Sequence, residues 1–519
     1  MNSNNLKAIF VAGAGLFLGF ILMANVLTSG GNVVSNLYRY IPFVFAIAGF
    51  IAPTQSLYLL SICVVGIGYL KKTMILDGYF AFSSLYFVVG APAILMLGMC
   101  ASTFVRLIFS RRSSKRDWSI FMFGISVTLF LMAVIYLKSG RVELAVMTGA
   151  YANILWVLPL CVRDEQAFTR LLGFTLVLML VTSSVGYYQA VYGLTELDRI
   201  YVELGYADES EGGAKREDSL RPFATYGSPN AFGWSMLFAV VIALNGFRTC
   251  RRGSERIIDG RKRRVSGSAA KQILWLLAIL LAIGAILIST KKAPILGLLI
   301  LPFAAAMIRT RIAGLLALCS FSTMIFCMIR FPDEIRVWCR QVTADYLVPI
   351  HPALTLNTVN TRLKSFEVLS EEGTIAWFGT GNLSAHSHTF LTTILQTIGY
   401  IPFFTLVVFA VAVYWFGQRK MSQILGSWKT PRAEAIAYDL GFFVSLLAGA
   451  LTGTNVHQSF PASYLWWLAV AFAMVRVFNQ VDERARGIVP EEVEGQQRQS
   501  GSERSGGGPD VVQGAYRLT

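Results

Sequence analysis

Two of the chain's 4 histidines, His386 and His388, stand immediately before an apolar segment within Gly379–Pro402, GTGNLSAHSHTFLTTILQTIGYIP. A histidine at a membrane boundary suits proton chemistry, because its unperturbed pKa lies near neutrality and the interface keeps it wet on one side. On a helix the pair would point to nearly opposite sides, whereas an extended segment would place both on one side. One of them is the candidate base, and Gly379 and Gly381 allow the tight approach of the backbone that such a segment needs. The competing readings are that His388 only packs against or caps a helix starting near Thr389, or that the His-x-His pair holds a metal with His351 as third ligand. No cluster of carboxylates and histidines with obvious metal spacing accompanies it, so the sequence requires no metal and no other cofactor.

A base of this kind needs a membrane beside it, and the composition supplies one. Mean hydropathy is +0.56, 55% of residues are apolar and only 14% are charged, against about a quarter in soluble domains. Apolar runs able to cross about 30 Å of hydrocarbon recur along the whole chain. The expected fold is all-α: a polytopic membrane bundle of about fourteen spans (about 12–14), with two long external segments carrying surface helices. The net charge of +15 falls mostly in short loops between apolar runs, where Lys and Arg orient helices, so it reads as topology and not as a nucleic-acid surface. The 7 cysteines are scattered and imply no disulfide framework.

In chain order the expected spans begin with Ala8–Leu27, Tyr40–Ile51 and Ser56–Leu70, the last two parted by Ala52-Pro53-Thr54, and continue with a long run from Tyr79 to Phe109. RRSSKR at 111–116 marks a cytoplasmic loop. Trp118–Leu137, Leu144–Val162 and Leu171–Tyr192 follow, the last two joined by a charged turn with Arg163 and Arg170. Gly193–Pro229 then leaves the membrane on the outer side, its centre too charged and glycine-rich for a core. Asn230–Phe247 returns to the basic segment 248–271, Gln272–Ile288 and Ala293–Ile308 are joined by a tight polar turn, Ser289–Lys292, and Ile312–Ile329 crosses outward. A second external segment, Arg330–His388, holds two amphipathic patterns: Ile335, Trp338, Val342 and Tyr346 in one, Leu363, Phe366 and Leu369 in the other. Phe390–Phe416, Ile436–Leu451 and Ser463–Phe478 complete the bundle, and a disordered tail starts at Gln480. The organisation is therefore N-terminal spans over 1–168, a core over 169–416 with external segments 193–229 and 330–388, C-terminal spans over 417–479, and a cytoplasmic tail over 480–519. Both termini fall in the cytoplasm.

Four pieces occur in an order that resembles the O-antigen ligase and polymerase family: LRPFATYGSPNAFG (220–233), ISTKKAPILGLL (288–299), NTRLKSFEVL (360–369) and GTGNLSAHSHTFLTTILQTIGYIPFF (379–404). The resemblance covers roughly Thr169 to Trp415, and its specificity lies in the ordered set. It implies a multi-span glycosyltransferase of the bacterial inner membrane that takes a glycan from undecaprenyl diphosphate on the periplasmic or outer face. The acceptor is then the lipid A core for a ligase, or a second lipid-linked glycan for a polymerase, with membrane lipids as the surroundings and no nucleic acid as partner. His388 matches a family histidine usually followed by asparagine, where this chain has Thr389, and Lys291 and Lys292 stand where the family commonly has an arginine.

Departure of a lipid diphosphate needs fixed positive charge near the membrane surface, and the acceptor hydroxyl needs a base. The outer side offers Arg221, Lys291, Lys292 and Arg362 for the diphosphate and His388 or His386 for the proton. The bland alternatives are an interface-anchoring arginine at 221, two snorkelling lysines at a helix end, and a solvated helix face at 362. Attack by the hydroxyl on the anomeric carbon, with the diphosphate leaving, predicts inversion without a metal. A transporter or flippase of lipid-linked oligosaccharide is the reading from another class; it would place charges at the bilayer midplane in related halves, and no internal repeat is visible. A scaffold for polysaccharide export would make the same charges expendable.

Overall fold

The computed structural model describes residues 40–76, 90–110, 114–139, 142–203, 222–252, 269–310, 331–347, 430–451 and 460–485, with short pieces at 215–216, 219–220, 254–258, 261–265 and 421–425 and isolated positions elsewhere. Among these residues helices dominate, and 7 of them are long and apolar enough to cross a membrane, with three shorter apolar helices beside them. The expected spans at Ala8–Leu27, Ile312–Ile329 and Phe390–Phe416 fall outside the described residues apart from isolated positions, as does the surface helix expected around Arg362.

Helix ends are set by identifiable residues. Helix α1 (Ile41–Ile51) stops at Ala52, with φ −137° and ψ 65°, because Pro53 excludes helical geometry from the residue before it. Helix α2 (Pro53–Leu76) takes that proline as its first residue, where a missing N–H is harmless. It runs past Leu70, the end of its apolar pattern, through Lys71 and Lys72, because the Lys72 ammonium finds a carboxylate and a carbonyl inside the protein. Helix α3 (Ala91–Phe109) starts at Gly90, and α4 (Lys115–Ser139) follows. The single span expected over Leu144–Val162 is two helices, α5 (Val142–Ala152) and α6 (Ile154–Cys161). They part at Asn153, whose side chain donates to Gly149 O (3.2 Å) and accepts from Trp156 Nε1 (2.8 Å), while Pro159 removes one helical donor.

Helix α7 (Glu165–Tyr192) is capped by Asp164, which accepts from the N–H groups of Gln166 (3.2 Å) and Ala167 (3.0 Å). Arg170 therefore sits inside the helix and not in the preceding turn. The helix is about 42 Å long at 1.5 Å per residue, so it outreaches the hydrocarbon and its last turn lies at a polar end of the bundle. Then come α8 (Glu196–Glu203), α9 (Pro229–Arg252), α10 (Ala269–Ile288), α11 (Lys292–Arg309), α12 (Pro332–Val342, with a π turn at Thr343–Leu347), α13 (Pro431–Leu451) and α14 (Ala462–Ala485). Helix α12 realises the first amphipathic pattern and exposes Trp338 and Tyr346. Helix α14 continues beyond Gln480, where the sequence places the tail, because the Gln480 side chain is buried and donates to Leu425 O (3.3 Å). Two small antiparallel hairpins accompany the helices: β1 (Lys215–Arg216) with β2 (Ser219–Leu220), and β3 (Ser254–Ile258) with β4 (Arg261–Val265).

Helix α9 is the centre of the bundle. Of its apolar window 83% is buried, against 28% for α10 and 22% for α4. Phe238 of α9 meets Phe442 of α13 (5.0 Å between centroids) and Phe472 of α14 (5.6 Å). Helix α4 instead exposes Met122, Phe123, Leu129 and Phe130, a surface that water does not tolerate and lipid covers. This is a membrane-embedded helical protein.

One end of the bundle is closed by ion pairs between side chains. Glu434 of α13 meets Arg248 of α9 and Arg309 of α11, each at 3.2 Å. One turn deeper, buried Asp439 of α13 meets Arg476 of α14 (2.9 Å) and accepts from Asn245 of α9 (3.0 Å).

Candidate functional site

At the other end, α2, α7 and α8 converge on the segment Pro222–Ser228, which leads into α9. Its backbone is irregular yet buried, with Phe223 at 0%, Ala224 at 2% and Tyr226 at 1% exposure. Irregular backbone out of reach of water must borrow its hydrogen-bond partners, and here side chains supply them. Gln189, in the last turn of α7, accepts at Oε1 from the N–H groups of Phe223 (3.0 Å) and Ala224 (2.7 Å) and donates from Nε2 to Asp198 Oδ2 (2.7 Å). Lys72 Nζ donates to Ala224 O and to Asp198 Oδ1, both at 2.8 Å, and stands 4.0 Å from the centre of the Phe223 ring. Thr195 donates to Asp198 Oδ2 (2.7 Å), so both carboxylate oxygens are engaged. Thr225 donates its hydroxyl to Val65 O, and Tyr201 donates to Gly227 O (3.3 Å).

The segment lies directly on α2: a Cβ on Gly68 would come within 2.5 Å of Gly227 N. Ala224 is held at φ 49°, a left-handed conformation that non-glycine residues avoid. Burial pushes the Tyr226 phenol up to about 12. That group keeps its proton at neutral pH and is no base.

The first turns of α9 then meet the turn between α10 and α11. A Cβ on Gly233 would lie 2.6 Å from Pro294 Cγ and 3.2 Å from Ser289 Oγ, so glycine is what lets the turn seat against α9. In that turn Ser289 donates to Ile286 O (2.7 Å) and Thr290 has φ 50°. Ala224 and Thr290 are the two non-glycine residues with left-handed φ among the described residues. Lys291 stands at the N-cap position of α11 and is 6% exposed, and Lys292 opens the helix. On the same face of α9, Asn230 Oδ1 and Trp234 Nε1 are buried without a hydrogen-bond partner among the described residues. The N-termini of α9 and α11, the positive ends of their dipoles, are thus both at this end of the bundle.

Of the residues singled out from the sequence, Lys291 and Lys292 lie in the described part, and Lys291 is buried at this turn. Arg221, Arg362, His386 and His388, with the alternative ligand His351, lie outside the described residues. Two of the four resembling pieces, 220–233 and 288–299, touch through Gly233, Ser289 and Pro294. Sequence reasoning did not find Lys72, Gln189 and Asp198. The signal for Lys72 was a lysine inside what turns out to be a continuous helix, and its partner lies 126 residues away. No family model, no curated protein and no solved structure matches the chain.

Proposed function

We propose that the chain is a membrane glycosyltransferase resembling the O-antigen ligases, which moves a glycan from undecaprenyl diphosphate to an acceptor hydroxyl on the periplasmic or outer face of the bacterial inner membrane. The observation that carries this reading is the contact between the pieces 220–233 and 288–299, with Lys291 buried at their junction. A buried lysine beside two helix N-termini suits a diphosphate, whose charge grows as it leaves the anomeric carbon. Arg221, next to Pro222 in sequence, Lys292 and Arg362 are assigned to the same diphosphate, and His388, or failing it His386, to the proton of the acceptor hydroxyl. The hydroxyl oxygen bonds to the anomeric carbon as the carbon–phosphate oxygen bond breaks, so the product has inverted configuration and no metal enters the step.

The test is transfer from a purified undecaprenyl-diphosphate glycan by wild type and by His388→Ala, with lipid A core and a second lipid-linked repeat offered separately. Glycan on the core identifies a ligase, and a ladder of repeats identifies a polymerase of the same family. Loss of transfer in His388→Ala supports the base; full activity moves the role to His386 or removes it. The second reading, a lipid-linked oligosaccharide flippase, would assign the buried Asp439–Arg476 pair to a transport path instead of to the fold. Translocation of the lipid-linked glycan across a proteoliposome bilayer, without transfer to either acceptor, would establish that reading in place of the enzyme.

A further inference from the structure

The resemblance to a glycosyltransferase begins near Thr169 in the sequence, yet one of the side chains that hold Pro222–Ser228 comes from α2. Lys72 is completely buried, and its ammonium is divided between Asp198 Oδ1 and the carbonyl of Ala224. Gln189 grips the N–H of the same Ala224 and also reaches Asp198 through its other amide atom. Both backbone polar groups of one residue are therefore held by side chains from two different helices, and those side chains meet on one carboxylate. That residue, Ala224, is the one held at φ 49°, and it lies in the segment that joins Arg221 to the N-terminus of α9. Merely closing a helix end would not require a strained residue gripped at both its N–H and its C=O.

We propose that Lys72, Asp198 and Gln189 are positioning residues for the transfer reaction: a clamp that sets Pro222–Ser228, and with it the approach of the α9 N-terminus to the donor diphosphate. None of the three touches the reacting atoms. The clamp ties α2, from the N-terminal spans, into the site, so the functional unit extends upstream of the region that carries the resemblance. The inference rests on the transferase reading given above.

The experiment compares full-length wild type with the paired neutral variant Lys72→Met/Asp198→Leu and with Gln189→Leu, in the same transfer assay with the undecaprenyl-diphosphate glycan varied. Lys72→Met alone would leave a buried carboxylate without its cation and is expected to misfold, whereas removing both charges together preserves an apolar packing. The folded fraction is measured by size-exclusion profile and thermal unfolding. The clamp predicts that folded variants show a donor KM raised between about tenfold and a hundredfold, the scale of a misplacement of about 1 Å, with the acceptor KM unmoved. A residue that served the fold alone would lower the active fraction and hence Vmax, and would leave the donor KM where it was. Wild-type donor KM in both variants overturns the clamp and leaves the transferase reading standing. Absence of transfer by folded wild type to any acceptor overturns the transferase reading, and the clamp with it.

Discussion

The two ends of the bundle use buried charge for different ends. At the α13 end, Glu434 and Asp439 bind Arg248, Arg309 and Arg476, side chain to side chain, across four helices. At the α8 end, Lys72 and Gln189 spend hydrogen bonds on the backbone of an irregular segment, and Asp198 holds both of those side chains. The first arrangement fixes where helices lie relative to each other. The second fixes the conformation of a few residues that no helix or sheet would otherwise determine. Charge that joins helices serves the fold, and charge that holds strained, non-repetitive backbone is what a site requires.

Breaking the α13 end should show the largest effect on stability and none on donor recognition. Arg476→Met strands the Asp439 carboxylate and should destabilise by about 3–5 kcal/mol, measured as thermal unfolding in detergent, with most of the loss recovered in Arg476→Met/Asp439→Leu. An unchanged melting temperature in the single variant would dissolve the contrast between the ends. Next in size, Lys291→Ala should reduce kcat/KM roughly a hundredfold, about 2.7 kcal/mol of transition-state stabilisation, while Lys292→Ala should lose less than about threefold. Equal losses would mean that burial of Lys291 does not single it out. Gly233→Ala should force Pro294 and Ser289 away from α9 and destabilise by about 1–3 kcal/mol, with a fall in transfer that exceeds the loss of folded protein. The smallest effect sharpens the comparison from the other side: Thr290→Gly should relieve a left-handed residue and raise stability by about 1 kcal/mol, while lowering transfer through a looser turn. A variant that is both more stable and more active would argue against strain at this end having a function.

Much of this architecture is written in local pattern. The start of α9 at Pro229, the turn at Ser289 between α10 and α11, and the Ala52-Pro53 break follow from local pattern, whereas α9 runs past its apolar end at Phe247 into the basic segment as far as Arg252. The break at Asn153 is invisible to hydropathy, because it depends on one amide competing with the helix for backbone partners. The hairpin β3–β4 carried a readable sign: the register pairs Ile258 with Arg261 and leaves Asp259-Gly260 between them, a dipeptide that favours two-residue turns. The polar segment after Tyr192 reads as a departure from the bundle because its centre is charged. Its flanks pack into the bundle instead: Tyr201, Phe223 and Tyr226 are buried. For the site itself, the buried lysine at 291 stands where the resemblance to O-antigen ligases implies a cation, but the clamp depends on pairing Lys72 with a carboxylate 126 residues away, and no local rule connects them.

That separation also bears on how the protein is made. As α2 enters the membrane during synthesis, Lys72 closes its apolar run as an uncompensated cation, and its carboxylate is not added until α8 is translated. An ammonium without a partner stays with water. The C-terminal end of α2 is therefore held at the aqueous boundary while α3 to α7 are inserted, and it is released into the interior only when Asp198 arrives. Synthesis order thus leaves α2 without its carboxylate partner until α8 has been made, so the final seating of the α2 end is a late event.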